Sequence, residues 1–168
     1  MHDISKDHIK SLVGKAPSVS KVEMTELVLP NDTNLLGNLL GGKLMHWIDI
    51  AGAMAASRHS SRIVATVALD SLDFRHPARM GELVMLHAKL TWAGRTSMEV
   101  KVNAYAENIK SGNIILTNRA YLTFVALDDT GKPVPVPPLI PETDEERVDY
   151  AEAEKRRGER LQRKNRDM

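Results

Sequence analysis

Residues 34–60 read NLLGNLLGGKLMHWIDIAGAMAASRHS, and the fold turns on how this stretch can be packed. Gly41-Gly42 opens a run of about seventeen residues with helical periodicity. Leu44, Ile48, Gly52 and Ala55 fall on one face, and Met45, Trp47, Ala51, Met54 and Ala56 fill most of the rest. A helix apolar nearly all round is expected to be buried. Lys43, His46 and Asp49 interrupt it, and it is too short to span a bilayer. Asp49 stands in its middle. An ionised carboxylate there is costly unless a structural partner, a wet edge or a catalytic task accounts for it.

Outward from the helix, the period changes to two. Residues 20–29, SKVEMTELVL, alternate as a first strand, and PNDTN then favours tight local hydrogen bonding. After the helix, residues 62–74 place Ile63, Ala65, Val67 and Leu69 on one side. Residues 82–92 place Val84, Leu86, Ala88, Leu90 and Trp92 together, and 96–107 do the same with Met98, Val100, Val102, Ala104 and Ala106. Ala93-Gly94-Arg95 and Ser111-Gly112-Asn113 are turns, and residues 114–127 supply the last long strand. Long strands joined by tight turns make an antiparallel meander, not parallel βαβ units. One apolar helix and one apolar sheet face have a natural solution, an α+β fold whose sheet wraps around the helix. Such a sheet leaves an exposed edge, which a two-fold homodimer would cover.

The flanks differ in composition. Residues 1–19 read as an N-terminal arm, 20–129 as the domain and 130–141 as a linker holding five of the eight prolines. Residues 142–168 read as a charged C-terminal helix, acidic early and basic late, an order that suits the helix dipole. Its basic half could meet phosphates, although a charge run is more often a solvated face. The 168 residues carry a net charge of +1, so no global charge argues for nucleic acid. There is no cysteine, which excludes disulfides, thiolate metal sites and a cysteine nucleophile. MHDISKDHIK has no signal-peptide or membrane character, so a cytoplasmic protein is expected.

Several chemistries are ruled out by their missing motifs: no GxSxG, P-loop or GxGxxG occurs. His46, His59, His76 and His87 lack metal-ligand spacing. His46 and Asp49, three apart on a helix, are close enough to touch. The other constellation is Asn34, Gly41, Gly42 and Asp49. A helix start offers unpaired N–H groups, and two glycines leave that backbone open to a carbonyl oxygen. Such donors can stabilise an oxyanion. Asp49 lies roughly 10 Å along the axis from Gly42, so one chain does not readily place both on one carbonyl. A site shared between protomers removes that difficulty.

The series PNDTN, GNLLGGKLMHWIDIAGAMAA, VALDSLDFRHPARMGELV, AGRTSMEVKVNAYAEN and AYLTFVALDDTGKPVPVPPLIPET, then EKRRGERL, resembles the hotdog-fold acyl-CoA thioesterases. It is most similar to the cytosolic acyl-CoA hydrolase branch, with the bacterial YciA-type enzymes and the brain-type hydrolase. The resemblance implies a sheet curved around a central helix, dimers with shared active sites, and trimers of dimers. It implies that Asn34 and Asp49, from different protomers, act on the thioester of acyl-CoA, yielding a fatty acid and CoA. Asp49 would serve as general base or as nucleophile. Backbone near Gly41 and Gly42 would hold the oxyanion, and Arg95, Thr96 and Ser97 would contact CoA. No metal or separate cofactor is expected, since coenzyme A arrives with the substrate. The partners expected are acyl-CoA and further copies of the chain, with neither nucleic acid nor membrane. A non-catalytic acyl-CoA or nucleotide-binding module on the same fold is the alternative.

Overall fold

A computed structural model of the chain describes residues 12–168. Its five strands are β1 (Val22–Leu27), β2 (Ile63–Phe74), β3 (Leu83–Ala93), β4 (Ser97–Glu107) and β5 (Ile114–Leu127). They form one antiparallel sheet in the order β1-β3-β4-β5-β2. The β3-β4-β5 meander is the one that alternation predicts, and β2 closes the far edge by returning beside β5. The helices are a single turn, α1 (Pro17–Ser20), the long α2 (Gly41–Ser60) and the C-terminal α3 (Asp144–Arg166). The two long helices lie on opposite faces of the sheet.

The core lies between α2 and the inner face of the sheet. Leu44, Trp47, Ile48, Ala51, Ala55 and Ala56 meet Val84, Leu86, Val100, Val102, Leu122 and Phe124, all buried. Each large side chain of this set stabilises the fold by about 1.5–3 kcal/mol through burial alone. A Cβ at Gly52 would stand 3.0 Å from the Phe124 ring and 3.6 Å from Val102. That glycine therefore fixes how closely helix and sheet approach. The helix is not enclosed all round within one chain, since Met45, Ile50 and Met54 remain exposed on its other side.

Two strands depart from strict alternation. The pairing of β3 with β4 shifts between Leu90 and Trp92. Trp92 therefore leaves the inner face shared by Val84 to Leu90 and packs beneath the Arg157 guanidinium of α3. In β2 the register against β5 shifts twice, between Thr66 and Ala68 and between Leu69 and Ser71. The expected common face of Ile63, Ala65, Val67 and Leu69 does not form. Ile63 and Val67 are exposed, while Thr66, Leu69 and Leu72 line one cavity. A bulge adds one residue to a strand and re-aims the side chains beyond it.

The basic half of α3 is only partly solvated. Arg156 forks onto Glu99 through Nε and Nη2, at 3.1 and 2.7 Å, and covers the Tyr121 ring. Thr91 Oγ1 donates to the same buried Glu99, and Lys101 pairs with Asp149 at 2.7 Å. Arg160 pairs with the largely buried Asp70. A buried carboxylate left without its cation is strongly destabilising. Arg156 and Arg160 are thus tied to the sheet and not offered to a phosphate.

Residues 130–141 are extended, yet held on both sides. Val134 N–H donates to Ala126, Val136 N–H to the Arg95 carbonyl, and Lys15 N–H to Pro138. Val136 and Leu139 enter the core. Residues 1–11 of the expected arm lie outside the described residues; from Lys15 on, the arm is pinned against this segment. Buried His59, at the end of α2, donates from Nε2 to the Pro137 carbonyl at 2.7 Å, and its Nδ1 has no partner among the described residues.

Burial pushes the His59 imidazole below its ordinary 6.5, the Pro137 hydrogen bond opposing and nearby Lys15 reinforcing. A lowered folded-state value means that the unfolded chain binds the proton more readily. The contribution of neutral His59 is therefore complete above pH 6.5 and lost as pH falls below it, at up to about 1.4 kcal/mol per pH unit. Urea unfolding at pH 7.5 and 5.0 should show this loss, and His59→Gln should make it smaller. Equal acid losses in both proteins would assign the effect elsewhere.

Candidate active site

Asp49 occupies the middle of α2, half-buried, where the helix passes β2. Its Oδ1 accepts a hydrogen bond from Thr66 Oγ1 at 2.6 Å. The first β2 bulge follows Thr66 directly. Asp49 and Thr66 open onto a cavity of about 330 Å³ walled mainly by Ile48, Leu69, Leu72 and Leu122. A carboxylate held by one oxygen at the rim of an apolar cavity keeps its second oxygen for a water or a carbonyl carbon. His46 and Gly42 line the same space. The carboxylate bonds to Thr66, not to His46, among the described residues.

Asn34 sits in a different cavity of about 310 Å³, with Asn38, Gly41, Phe74, Arg75 and His76. The chain there is closely tied. Asn34 N–H donates to the Asn38 carbonyl at 2.9 Å, and Gly37, at φ 76°, donates back to the Asn34 carbonyl at 3.0 Å. The side-chain Oδ1 accepts from the N–H of Leu36 at 3.0 Å and of Asn38 at 3.2 Å. Both acceptor positions are thus engaged by backbone, and what Asn34 presents outward is its amide N–H₂, a donor. Asp32, from the same PNDTN segment, is structural: it accepts the Leu29 N–H and pairs with Lys43 at 3.6 Å.

Gly41 and Gly42 stand between the two cavities, one lining each. Neither has a positive φ, so no backbone strain demands glycine. What they provide is bare backbone. Nothing lies within 4 Å of where a Gly42 Cβ would be, and Leu40 supplies no side-chain cap. The first N–H groups of α2 are therefore open to an incoming oxygen and carry partial positive charge.

The thioesterase superfamily model matches residues 36–112. An acyl-CoA thioester hydrolase of Bacillus subtilis, YkhA, is 45% identical over 145 residues, covering 86% of this chain and 84% of the relative. The chain belongs to the acyl-CoA thioester hydrolases. A hexameric acyl-CoA thioesterase superposes with a TM-score of 0.87 at 40% identity, over 90% of this chain and 97% of that one. The acyl-CoA hydrolase of Staphylococcus aureus, solved with butyryl coenzyme A, coenzyme A and coenzyme A disulfide, gives 0.85 at 38% identity, covering 91% and 93%. That enzyme has also been solved as single-alanine variants of an aspartate, an asparagine and a threonine. The sheet wrapped around α2 is thus the hotdog fold, and this protein is an acyl-CoA thioesterase.

Within one chain of the thioesterase, Asn34 and Asp49 are kept apart and Gly41-Gly42 bridges between them. Arg95, Thr96 and Ser97 line neither cavity. They form the β3-β4 turn, where the carbonyl of Thr96 accepts from Ala126 and that of Ser97 from Gly94. The Arg95 side chain is exposed. Among the described residues no group of three or more His, Asp or Glu could hold a metal, and no helix is long and apolar enough to cross a membrane. Two features escaped sequence reasoning: Thr66 beside Asp49, and Arg75-His76 beside Asn34. Thr66 carries no signal in an alternating strand. Arg75 and His76 had one, as the polar FRHP end of that strand.

Proposed function

We propose that the thioesterase hydrolyses acyl-CoA at a site built by two copies of the chain, Asp49 and Thr66 from one and Asn34 from the other. The observation that carries this reading is the pairing of a Thr66-held carboxylate at an apolar cavity with an outward amide donor in a separate cavity. The Staphylococcus aureus variants add support. The asparagine, aspartate and threonine replaced there are fifteen and then seventeen residues apart, the same separations as Asn34, Asp49 and Thr66 here.

The thioester carbonyl lies between the Asn34 amide and the open N–H groups near Gly42. As a base, Asp49 takes a proton from water while the water oxygen bonds to the carbonyl carbon. As a nucleophile, it forms a mixed anhydride that water then opens. Either way the C–S bond breaks, CoA leaves as its thiolate and the acid is released. The oxyanion formed on the way is held by donors already in place. Because the oxygen of Asn34 is engaged, its role is to donate to that oxyanion. The Arg95 to Ser97 turn, which lines neither cavity of its own chain, contacts the CoA portion bound at a neighbouring copy's site.

Asn34→Ala should lower kcat in a thiol-release assay on butyryl-CoA by about 10²-fold or more, the loss typical of one oxyanion donor. KM should change little. A raised KM at unaltered kcat would make Asn34 a ground-state contact only.

Assembly follows from the uncovered surfaces. Edge strand β2 exposes Ile63, Val67 and Leu69, and α2 beside it exposes Met45, Ile50 and Met54. Continuation of the sheet from β2 into a second copy covers both and brings the two loops to each other's cavities. Light scattering should report an even-numbered assembly, a hexamer as in the similar thioesterase. A fully active monomer would refute the shared site.

A further inference from the structure

We propose that Leu35 and Leu36 of one copy wall the acyl cavity of the other and set its preference for acyl-chain length. This role rests on the two-copy site above. Leu35 and Leu36 are 106% and 82% exposed, side by side at the tip of the loop that carries Asn34. The loop is firmly built. Besides the bonds around Asn34, the Met80 N–H donates to the Gly37 carbonyl at 2.9 Å and the Leu39 N–H to Ala78 at 2.8 Å. A rigid loop that displays two bare leucines is matched to an apolar surface outside its own chain.

The receiving surface is the Asp49 cavity, lined by Thr66, Leu69 and Leu72 of edge strand β2 together with Leu122 and Ile48. Met45 and Leu69 on its rim are 43% and 40% exposed. An Asn34 amide that reaches the thioester at Asp49 carries Leu35, the next Cα about 3.8 Å along, into the same opening. A second copy of this chain is therefore the occupant, and the acyl methylenes run between its leucines and the cavity wall. Their burial favours longer chains by up to about fourfold per enclosed methylene.

Two experiments test this. The kcat/KM values for acetyl-, butyryl-, hexanoyl- and octanoyl-CoA should be compared between wild type and a Leu35→Ser, Leu36→Ser double variant. The octanoyl-to-acetyl ratio should fall about tenfold or more. An unchanged ratio, or an equal loss at every length, overturns the role. Independently, the chain has no cysteine, so Leu35→Cys chains mixed with Leu69→Cys chains should form a disulfide between chains on mild oxidation. No cross-link in a protein that is still oligomeric overturns it too. Mixing Asp49→Asn chains with Asn34→Ala chains separates this from the underlying two-copy site. If activity recovers on mixing and the leucine variant keeps its profile, only the role of the leucines fails. If mixing restores nothing although the subunits exchange, the two-copy site itself fails.

Discussion

Asp49→Asn is expected to fold and assemble as the wild type does while kcat falls by about 10²–10⁴-fold, the range of a lost acid–base group. The amide has nearly the volume of the carboxylate, and its oxygen can still accept the Thr66 hydroxyl. What it cannot do is take a proton from water or form an anhydride. The loss should therefore appear in kcat with little change in KM, as for a group needed only in the transition state. The two roles open to Asp49 differ in where oxygen goes. In a single turnover in isotopically labelled water, a general base leaves the label in the released acid. A nucleophile whose anhydride water opens at the Asp49 carboxyl carbon instead leaves the label in the Asp49 carboxylate, and the released acid carries away the original enzyme oxygen. Turnover by Asp49→Asn within a few-fold of wild type would eliminate both roles.

Mixing two inactive variants should restore activity. Asp49→Asn chains keep Asn34, and Asn34→Ala chains keep Asp49. If each site draws one residue from each copy, a mixed dimer has one site with both residues intact and one with neither. Random reassembly of equal amounts makes half the dimers mixed, so activity should recover to about one quarter of wild type, the two sites of an isologous dimer being equivalent. The separation of Asn34 and Asp49 into two cavities of one chain motivates this expectation. A site contained within one chain gives no recovery at any ratio. Subunit exchange must be demonstrated separately, for example by co-purification of a tagged and an untagged variant. Absence of recovery with exchange demonstrated defeats the shared site and leaves the role of Asp49 standing.

What was legible in the sequence was what local periodicity encodes. Residues 41–60 repeat at helical spacing and residues 83–127 alternate, so α2 and the β3-β4-β5 meander follow from the chain read a few residues at a time. Asp49 stood out because it is a charge within an apolar helix. Asn34 was grouped with Gly41, Gly42 and Asp49 ahead of the helix, but its catalytic role came only through the resemblance. Bulges in β2 were not legible, because a register shift is decided by the partner strand and not by the residues that carry it. Strict alternation put Val67 and Leu69 on one face, whereas pairing with β5 turned Thr66, Leu69 and Leu72 towards the cavity.

Contacts between residues distant in the chain were equally silent. His59 meets Pro137, 78 residues on, and turns a proline-rich connection into a strap. Arg156 meets Glu99, 57 residues back, which withdraws that guanidinium from any phosphate. The sequence by itself determined the sheet, the central helix and the charge within it, since each depends on the spacing of neighbours. The tertiary structure decided which hydroxyl holds Asp49, that Asn34 presents its donor, and that the two stand in separate cavities. Those features depend on how distant segments meet, and burial and hydrogen bonding settle that only once the chain is folded.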